Sequence, residues 1–303
     1  MSYQLVKVFG LQRSGNHAIL NWLIGLDVEK TLFINNQKAG RPLRGGAVSL
    51  PDEFNANAKR HNGRVTEYSE LVSSFSSWGN KLIVSFENFD LRLHDPATAN
   101  GPIYNAFGPP DDERIVLILR NPFCVIPSLS RLHPIDEYEH ASRIFRQNGL
   151  VNLLLYTAQS IRRLAKRKPE AHSLHARGRV VDIIELWPEY ANAASSGKIG
   201  RNPVTPIIFD RWLKCLNYRN SIATTLGCTN EDKYMDFISD AGGGSSFYGT
   251  SANASELSGY SCIERWNFLS RKKKVVKVIK NNPDFLRLSR ELFPSSEIPP
   301  VFR

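Results

Sequence analysis

The segment between Gly10 and Gly15 contains residue types that suit phosphate binding. Four residues separate the two glycines, Arg13 is one of them, and Asn16 and His17 follow. Glycines let backbone N–H groups turn toward an anion, and a helix N-terminus adds partial positive charge. A nucleotide triphosphatase loop would continue with Lys and then Ser or Thr, which hold phosphate and Mg²⁺. Because Asn16 and His17 stand there instead, we expect an anion site that lacks the magnesium-binding hydroxyl.

A second candidate pair, Arg120 and Ser128, lies further along the chain. Arg120 ends the apolar run 115–119, and Asn121-Pro122 predicts a helix over 123–132 that carries Ser128, because Asn caps helices and Pro fits the first helical position. In open α/β sheets, ligands bind beyond the carboxyl ends of the strands, so Arg120 and the glycine loop should face one ligand. A guanidinium and a hydroxyl can bind a phosphate at two points.

Short apolar strands must position these groups. Apolar runs predict strands at 5–9, 31–34, 82–86 and 115–119, and helical spacing predicts a helix that begins near residues 14–16. Strands that alternate with helices indicate an α/β protein with three layers, in which helices cover both faces of a mostly parallel central sheet. Later in the chain we expect a strand at 203–209 and a helix over 211–226, capped by Asp210.

Composition narrows the function classes. The chain has 303 residues, 42% of them hydrophobic, and 39 Lys+Arg against 29 Asp+Glu give a net charge of +10. Disordered chains combine low hydrophobicity with high charge density, and this chain has neither that composition nor that of a fibrous protein. The positive net charge favours an anionic partner. We expect one domain over 1–303, with insertions at about 36–80 and 133–205. Neither a signal peptide nor a membrane span is predicted, so we expect a cytoplasmic protein. The four Cys residues form no Cys-x-x-Cys pair, which favours reduced thiols.

The two motifs together resemble those of sulfotransferases that use 3′-phosphoadenosine 5′-phosphosulfate (PAPS). That family carries Gly-x-x-(Arg/Lys)-Ser/Gly-Gly-Thr after its first strand, and later Arg-x-Pro followed by Ser. The resemblance implies a P-loop-like fold, PAPS as donor, 3′-phosphoadenosine 5′-phosphate as product, and no metal. It assigns Arg120 and Ser128 to the 3′-phosphate. The 5′-phosphosulfate would contact the loop residues Gly10, Gln12, Arg13, Ser14, Gly15, Asn16 and His17.

Two weaker resemblances extend the comparison. Phe209-Asp210 with Thr225-Leu226-Gly227 is similar to the family's Tyr-Glu-Asp segment and Phe-Leu-Gly ending, and Glu264-Arg265-Trp266 is similar to its Gly-Arg-Trp. The chain departs from the family in lacking an Arg-Lys-Gly loop near its C-terminus. We therefore expect Ser258, Ser261 and backbone N–H groups to contact the 3′-phosphate instead.

The resemblance also implies the roles of catalytic residues. Arg13 would stabilise charge that develops on the sulfuryl oxygens. Glu87 ends the predicted strand at 82–86, where the family places its Glu or His base, and His17 is a second candidate base. The acceptor would be a small molecule or a glycan with a free hydroxyl, bound by loops within 36–80, 133–150 and 185–205.

Two other functions stay open. A P-loop kinase would transfer phosphate from Mg-ATP to a small hydroxylated substrate. A non-catalytic polyanion-binding protein would use the basic stretches 162–168 and 271–274. Neither stretch has the interleaved aromatic residues of a nucleic-acid site, so we expect no specific nucleic-acid partner.

Overall fold

A five-stranded sheet forms the centre of the structure, a computed structural model that describes residues 2–27, 31–37, 75, 80–92, 95–132, 180–229, 261–269 and 273–303. The strands lie in the order β2-β3-β1-β4-β7, and every neighbouring pair is parallel. This confirms the α/β class and the parallel sheet. The strands are β1 (Gln4–Gly10), β2 (Thr31–Ile34), β3 (Lys81–Glu87), β4 (Asp112–Leu119) and β7 (Thr205–Ile208). Between β4 and β7, two-residue strands form an antiparallel pair, β5 (Lys198–Ile199) with β6 (Asn202–Pro203).

Helices connect and cover the strands. The described α-helices are α1 (Asn16–Gly25), α2 (Asn100–Phe107), α3 (Pro122–Leu132), α4 (Val180–Ser196), α5 (Phe209–Lys214), α6 (Leu216–Thr225), α7 (Cys262–Asn267), α8 (Lys273–Lys280) and α9 (Pro283–Leu292). Short 3₁₀ turns occupy Pro96–Ala99, Ser295–Glu297 and Pro300–Phe302. Among the residues that the structure describes, no helix is long and apolar enough to cross a membrane.

The sheet is buried on both faces because alternate strand residues enter two separate hydrophobic clusters. Val6 and Val8 pack in one cluster with apolar residues of α1, α5 and α6. Leu5 and Phe9 pack in the other with residues of α2, α3, α4 and the C-terminal helices. A strand buried on both faces reads as a nearly continuous apolar run, which is why the strands could be predicted from sequence.

The chain leaves β1 and β4 toward opposite faces of the sheet. The connection from β1 enters α1, whose buried residues belong to one cluster, while β4 leads into α3, which packs in the other. A crevice therefore opens at the carboxyl ends of these two adjacent strands. The candidate phosphate loop and Arg120 both lie at that edge.

Two predicted elements differ in the structure. The expected helix over 211–226 is two helices, α5 and α6, because Cys215 between them has extended backbone angles. Asp210 consequently lies within the first turn of α5 and does not cap it. Residues 185–196, expected to lie in an acceptor loop, belong to α4, where Trp187 and Tyr190 are fully buried. Pro188 inside this helix weakens its signal in the sequence.

The expectation of four reduced cysteines is wrong for two of them. Cys124 of α3 and Cys262 of α7 form a disulfide, whereas Cys215 and Cys228 are free. Sequence spacing could not show the pair, since 138 positions separate its members. The basic stretch 162–168 lies outside the described residues, and the arrangement as one domain with insertions stays a prediction.

Candidate anion-binding site

Two loops meet at the carboxyl edge of the sheet. Gly10, the last residue of β1, is paired in register with Ile118 of β4 on one side and with Glu87 of β3 on the other. The glycine loop therefore begins beside Glu87 and near Arg120, which directly follows β4. Because the strand connections diverge here, the position is the usual ligand site of an open α/β sheet.

Both glycines of the loop are required by close contacts. A Cβ atom at Gly10 would overlap Oδ1 of Asn16, and one at Gly15 would overlap the ring of Phe209. Gly15 has a φ of 88° and Arg13 a φ of 68°, both in the left-handed region that glycine adopts most easily. The loop is thus folded too tightly for side chains at these two glycine positions.

The loop leads into a helix whose N-terminus is open to an anion. The Oδ1 of Asn88 accepts a hydrogen bond from the backbone N–H of Gln12 at 2.7 Å, which holds the first half of the loop. Gly15 is the N-cap of α1, no side chain caps the helix, and its first turn contains no acidic residue. The first-turn N–H groups lack partners within the helix, and the helix dipole is positive there. This arrangement favours a bound phosphate or sulfate group.

Three arginines surround the crevice and lie close enough to perturb one another. Nε of Arg13 donates to Oγ of Ser128 at 3.1 Å, and Nη1 of Arg120 donates to the carbonyl of Arg13 at 3.3 Å. Burial lowers the pKa of Arg120, and the charge of Arg265 lowers it further. Burial also lowers the pKa of Arg13. The carboxylate of Glu87 raises that pKa, and the charge of Arg265 lowers it. Such mutual repulsion makes the cluster a strong attractor of anions.

Neighbouring groups hold Arg120 in place, and one of its hydrogen-bond donors has no partner in the described part of the chain. Its guanidinium carbon lies 4.4 Å from the ring centroid of Phe209, a cation–π contact. Its backbone carbonyl accepts a hydrogen bond from Nε1 of Trp187 at 3.0 Å. Its Nε is buried and, within the described residues, has no hydrogen-bond partner. A buried donor without a partner costs about 1–3 kcal/mol, so an anionic ligand that contacts it would relieve this cost.

Asn121 and Asp210 connect the elements that carry these groups. The Oδ1 of Asn121 accepts from the N–H of Phe123 at 3.0 Å, which confirms the predicted cap at the start of α3. The backbone N–H of Asn121 donates to Oδ2 of Asp210 at 3.1 Å. The carboxylate of Asp210 is also close enough to raise the pKa of Arg120. Strand end β4, helix α3 and helix α5 are therefore fixed to one another beside the crevice.

Arg265 is the member of the site that the sequence prediction missed. It is 3% exposed and belongs to α7, which the disulfide attaches to α3. Ser261 caps α7, since its Oγ accepts from the N–H of Ile263 at 3.1 Å; its contact with phosphate stays a prediction. Ser258 lies outside the described residues. The available signal was the similarity of Glu264-Arg265-Trp266 to the family's Gly-Arg-Trp, from which Arg265 was not assigned to the site.

A second group of predicted residues lies on the other side of the loop. Glu87, His17 and Asn16 line a pocket between β1, β3 and the start of α1. Nδ2 of Asn16 donates to the carbonyl of Leu11 at 3.1 Å and to Oε1 of Glu87 at 3.4 Å. Burial lowers the pKa of His17, as does the charge of Arg13. His17 is therefore neutral at pH 7 and can donate one hydrogen bond and accept another.

The structure thus divides the predicted site into two parts. Arg13, Arg120 and Ser128 come together in one cationic cluster, although the family resemblance assigns Arg13 and Ser128 to different ends of a nucleotide. Glu87 and His17 come together in the neighbouring pocket. Comparisons with protein-family models, with curated proteins and with solved structures find no match to the chain.

Proposed function

We propose that this protein is a sulfotransferase that moves the sulfuryl group of PAPS to a hydroxyl of an acceptor. The observation that carries the proposal is the convergence of Arg13, Arg120 and Arg265 on the uncapped N-terminus of α1. A donor with phosphate groups at both its 5′ and 3′ positions supplies several negative charges to such a cluster. A singly charged ligand would balance a smaller share of the positive charge that these three guanidinium groups place in a buried site.

In the proposed complex, different groups of residues bind the two ends of PAPS. The loop N–H groups and the first turn of α1 bind the 5′-phosphosulfate, as helix N-termini do for other phosphates. Arg120, Ser128 and Arg265 bind the 3′-phosphate, and a hydrogen bond from Nε of Arg120 to it would give this buried donor a partner. Arg13 belongs to the loop and reaches Ser128, so it can contact either group.

In the proposed reaction, PAPS supplies a sulfuryl group, and 3′-phosphoadenosine 5′-phosphate leaves as its S–O bond breaks. The acceptor oxygen forms the new S–O bond and gives its proton to the carboxylate of Glu87. Glu87 is suited to this role because it is half-buried, ends β3 and lies beside Gly10. Arg13 and the loop N–H groups stabilise charge that develops between the sulfuryl group and its leaving oxygen. His17, neutral at pH 7, is the second group able to accept the proton.

Thermal unfolding with two nucleotides tests the proposal. At a hundredfold excess over its Kd, 3′-phosphoadenosine 5′-phosphate should stabilise the fold by about 2.7 kcal/mol, which shifts Tm by roughly 4 °C for a chain of 303 residues. Mg-ATP at the same concentration should have a smaller effect. Arg120→Ala should abolish the shift by the bisphosphate, whereas Arg211→Ala, which removes an exposed arginine of α5, should keep it.

The outcomes separate the three functions. A larger shift with Mg-ATP would indicate the kinase. Binding to arbitrary DNA with a steep dependence on salt, and no response to the bisphosphate, would indicate a polyanion-binding protein. Either result would overturn the sulfotransferase proposal.

A further inference from the structure

Most of the side chains that line the pocket containing Glu87 are polar. It lies between the start of α1 and the ends of β2 and β3, and its empty space, including the open mouth, is about 340 Å³. Besides Glu87 and His17, its polar lining comes from Asn16, Asn35, Asn36 and Ser85. The arginines described above do not line it. The pocket and the cationic cluster thus lie beside the same loop but differ in chemical character, since the lining of the pocket contains no arginine.

The polar lining is held in place by its own hydrogen bonds. Oγ of Ser85 donates to Oδ1 of Asn35 at 3.0 Å and accepts from the backbone N–H of Asn36 at 2.8 Å. The N–H of Gln37 donates to the carbonyl of Ser85 at 2.8 Å. Asn36 has a φ of 49°, a conformation that Asn tolerates better than most residues. The turn after β2 is therefore fixed to β3 and presents its two amides at defined positions.

Several donors and acceptors in this lining are left for a ligand. Within the described residues, Nδ2 of Asn35 and the whole amide of Asn36 have no hydrogen-bond partner. Neutral His17 adds one donor and one acceptor, and the carboxylate of Glu87, which already accepts from Asn16, has the lone pairs to accept more than one hydrogen bond. A hydroxyl group both donates and accepts, so a ligand with several neighbouring hydroxyls would satisfy this mixed set. A ligand with one hydroxyl on an aromatic ring would satisfy a small part of it.

The apolar groups in the pocket are poor binding surfaces for a ring. Val8, Leu20 and Phe86 belong to the lining, yet each is at most 2% exposed. Pockets for aromatic or lipid ligands need exposed apolar walls, since most of the binding energy comes from apolar contact. The charge of Glu87 also disfavours an anionic ligand. What remains is a neutral ligand that carries many hydroxyls.

We infer that the acceptor of this enzyme is a neutral, polyhydroxylated molecule of the carbohydrate class, bound by Asn35, Asn36 and His17 with one hydroxyl toward Glu87. This inference rests on the proposed sulfotransferase function. The reacting hydroxyl loses its proton to Glu87 as its oxygen bonds to sulfur, and the sulfuryl group leaves 3′-phosphoadenosine 5′-phosphate. Asn35 and Asn36 hold neighbouring hydroxyls and decide which molecules are accepted.

A binding experiment and an activity experiment test the inference together. Glucose, galactose and N-acetylglucosamine are compared with 4-nitrophenol and cyclohexanol, each at roughly 10 mM, above the millimolar affinity that a few hydrogen bonds can supply. Ligand-observed NMR measures binding, and the transfer of labelled sulfate from PAPS measures activity. We expect the sugars to bind and accept sulfate in preference to the two single-hydroxyl compounds.

Variants then assign the binding to the pocket. Asn36→Gly removes the amide and retains the left-handed backbone, and it should weaken sugar binding and lower kcat/KM by about fivefold to tenfold. Asn35→Ala should act similarly. Asn217→Ala, which changes an exposed residue of α6, should have no effect. The shift of Tm by 3′-phosphoadenosine 5′-phosphate should be the same in all three variants.

Failure of this inference differs from failure of the proposed function. Preferential use of 4-nitrophenol, absence of sugar binding at roughly 10 mM, or unchanged sugar binding in both pocket variants would overturn the inference. In each case a persistent Tm shift with the bisphosphate would leave the sulfotransferase proposal intact. Loss of that shift in the unmodified protein would overturn the proposed function itself.

Discussion

Replacement of Gly15 by alanine tests whether the glycine loop is folded against Phe209 as the structure shows. The new methyl group has two separate costs. The φ of 88° places an L-residue in the left-handed region, which costs about 1–2 kcal/mol. The Cβ would also lie well inside 3.0 Å of the ring of Phe209, and overpacking of this kind costs about 1–3 kcal/mol. Gly15→Ala should therefore lower the free energy of unfolding by about 2–5 kcal/mol.

Gly227, which follows α6, provides a matched control for the backbone cost. It has a φ of 76°, and a Cβ added there would have no neighbour within 4 Å. The N–H groups of Gly227 and Cys228 donate to the carbonyls of Thr224 and Ala223, the pattern of a left-handed glycine at a helix C-terminus. Gly227→Ala should thus cost only about 1–2 kcal/mol. In the background Phe209→Ala, where the ring is absent, Gly15→Ala should also cost only this backbone part. The two substitutions should therefore be coupled by about 1–3 kcal/mol in a double-mutant cycle.

Urea unfolding measures these differences, and titration with 3′-phosphoadenosine 5′-phosphate measures their effect on the site. We expect Gly15→Ala to weaken binding of the bisphosphate at least tenfold, because the loop must move away from the ring. Gly227→Ala should leave binding unchanged. Equal losses of stability for Gly15→Ala and Gly227→Ala would refute the contact with Phe209. Full binding by Gly15→Ala would refute the role of the loop.

Four further predictions concern Phe209, the disulfide, His17 and Glu87. Phe209→Leu removes the ring under the buried guanidinium, worth about 0.5–2 kcal/mol, so affinity for the bisphosphate should fall roughly twofold to thirtyfold and return in Phe209→Tyr; an unchanged Kd in the Leu variant would contradict this. Removal of the disulfide in the double variant Cys124→Ala, Cys262→Ala should lower the free energy of unfolding by about 2–5 kcal/mol, because the bond closes a long loop. An equal Tm for this variant and the unmodified protein would count against the bond. The pKa of His17 in the folded protein is below its ordinary value of 6.5, so on acidification the unfolded chain takes up this proton before the folded one. The contribution of His17 to stability is therefore complete above pH 6.5 and should be lost as the pH falls through the folded-state pKa. His17→Gln should flatten this part of a Tm–pH profile, and an unchanged profile would show that His17 is not its source. Glu87→Gln should lower kcat by about 10²–10⁴-fold and leave bisphosphate affinity unchanged; full turnover would exclude Glu87 as the base.

Local chemistry made much of the fold predictable. The strand at 31–34 has the predicted bounds, and the strands predicted at 5–9 and 82–86 each extend by one residue at either end. Asn121-Pro122 starts α3 as expected, because capping depends on atoms within three residues of each other. The helix over 180–196 was not predicted, since Pro188 interrupts its pattern. Cys215 likewise ends α5 without a signal that sequence spacing could show.

The candidate site was predictable in the same limited way. The glycine loop, Arg120 and Ser128 could be proposed because each lies at the end of a strand or within the turns that follow. Arg265 was not assigned, because its proximity to the cluster depends on the packing of α7 against α3 and on a disulfide across 138 positions. The amides of Asn35 and Asn36 were not assigned either, because their place beside Glu87 depends on the pairing of β2 with β3.

The sequence by itself determined the α/β class, the strands and the candidate anion-binding residues in the glycine loop and directly after β4, because these follow from periodicity, capping and charge over a few neighbouring residues. Tertiary structure alone decided that three arginines share one crevice, that Phe209 supports both Gly15 and Arg120, and that a polar pocket containing Glu87 lies beside the loop. The physical reason is distance along the chain. Strand register and helix packing bring together groups more than a hundred residues apart, and no local pattern encodes that proximity.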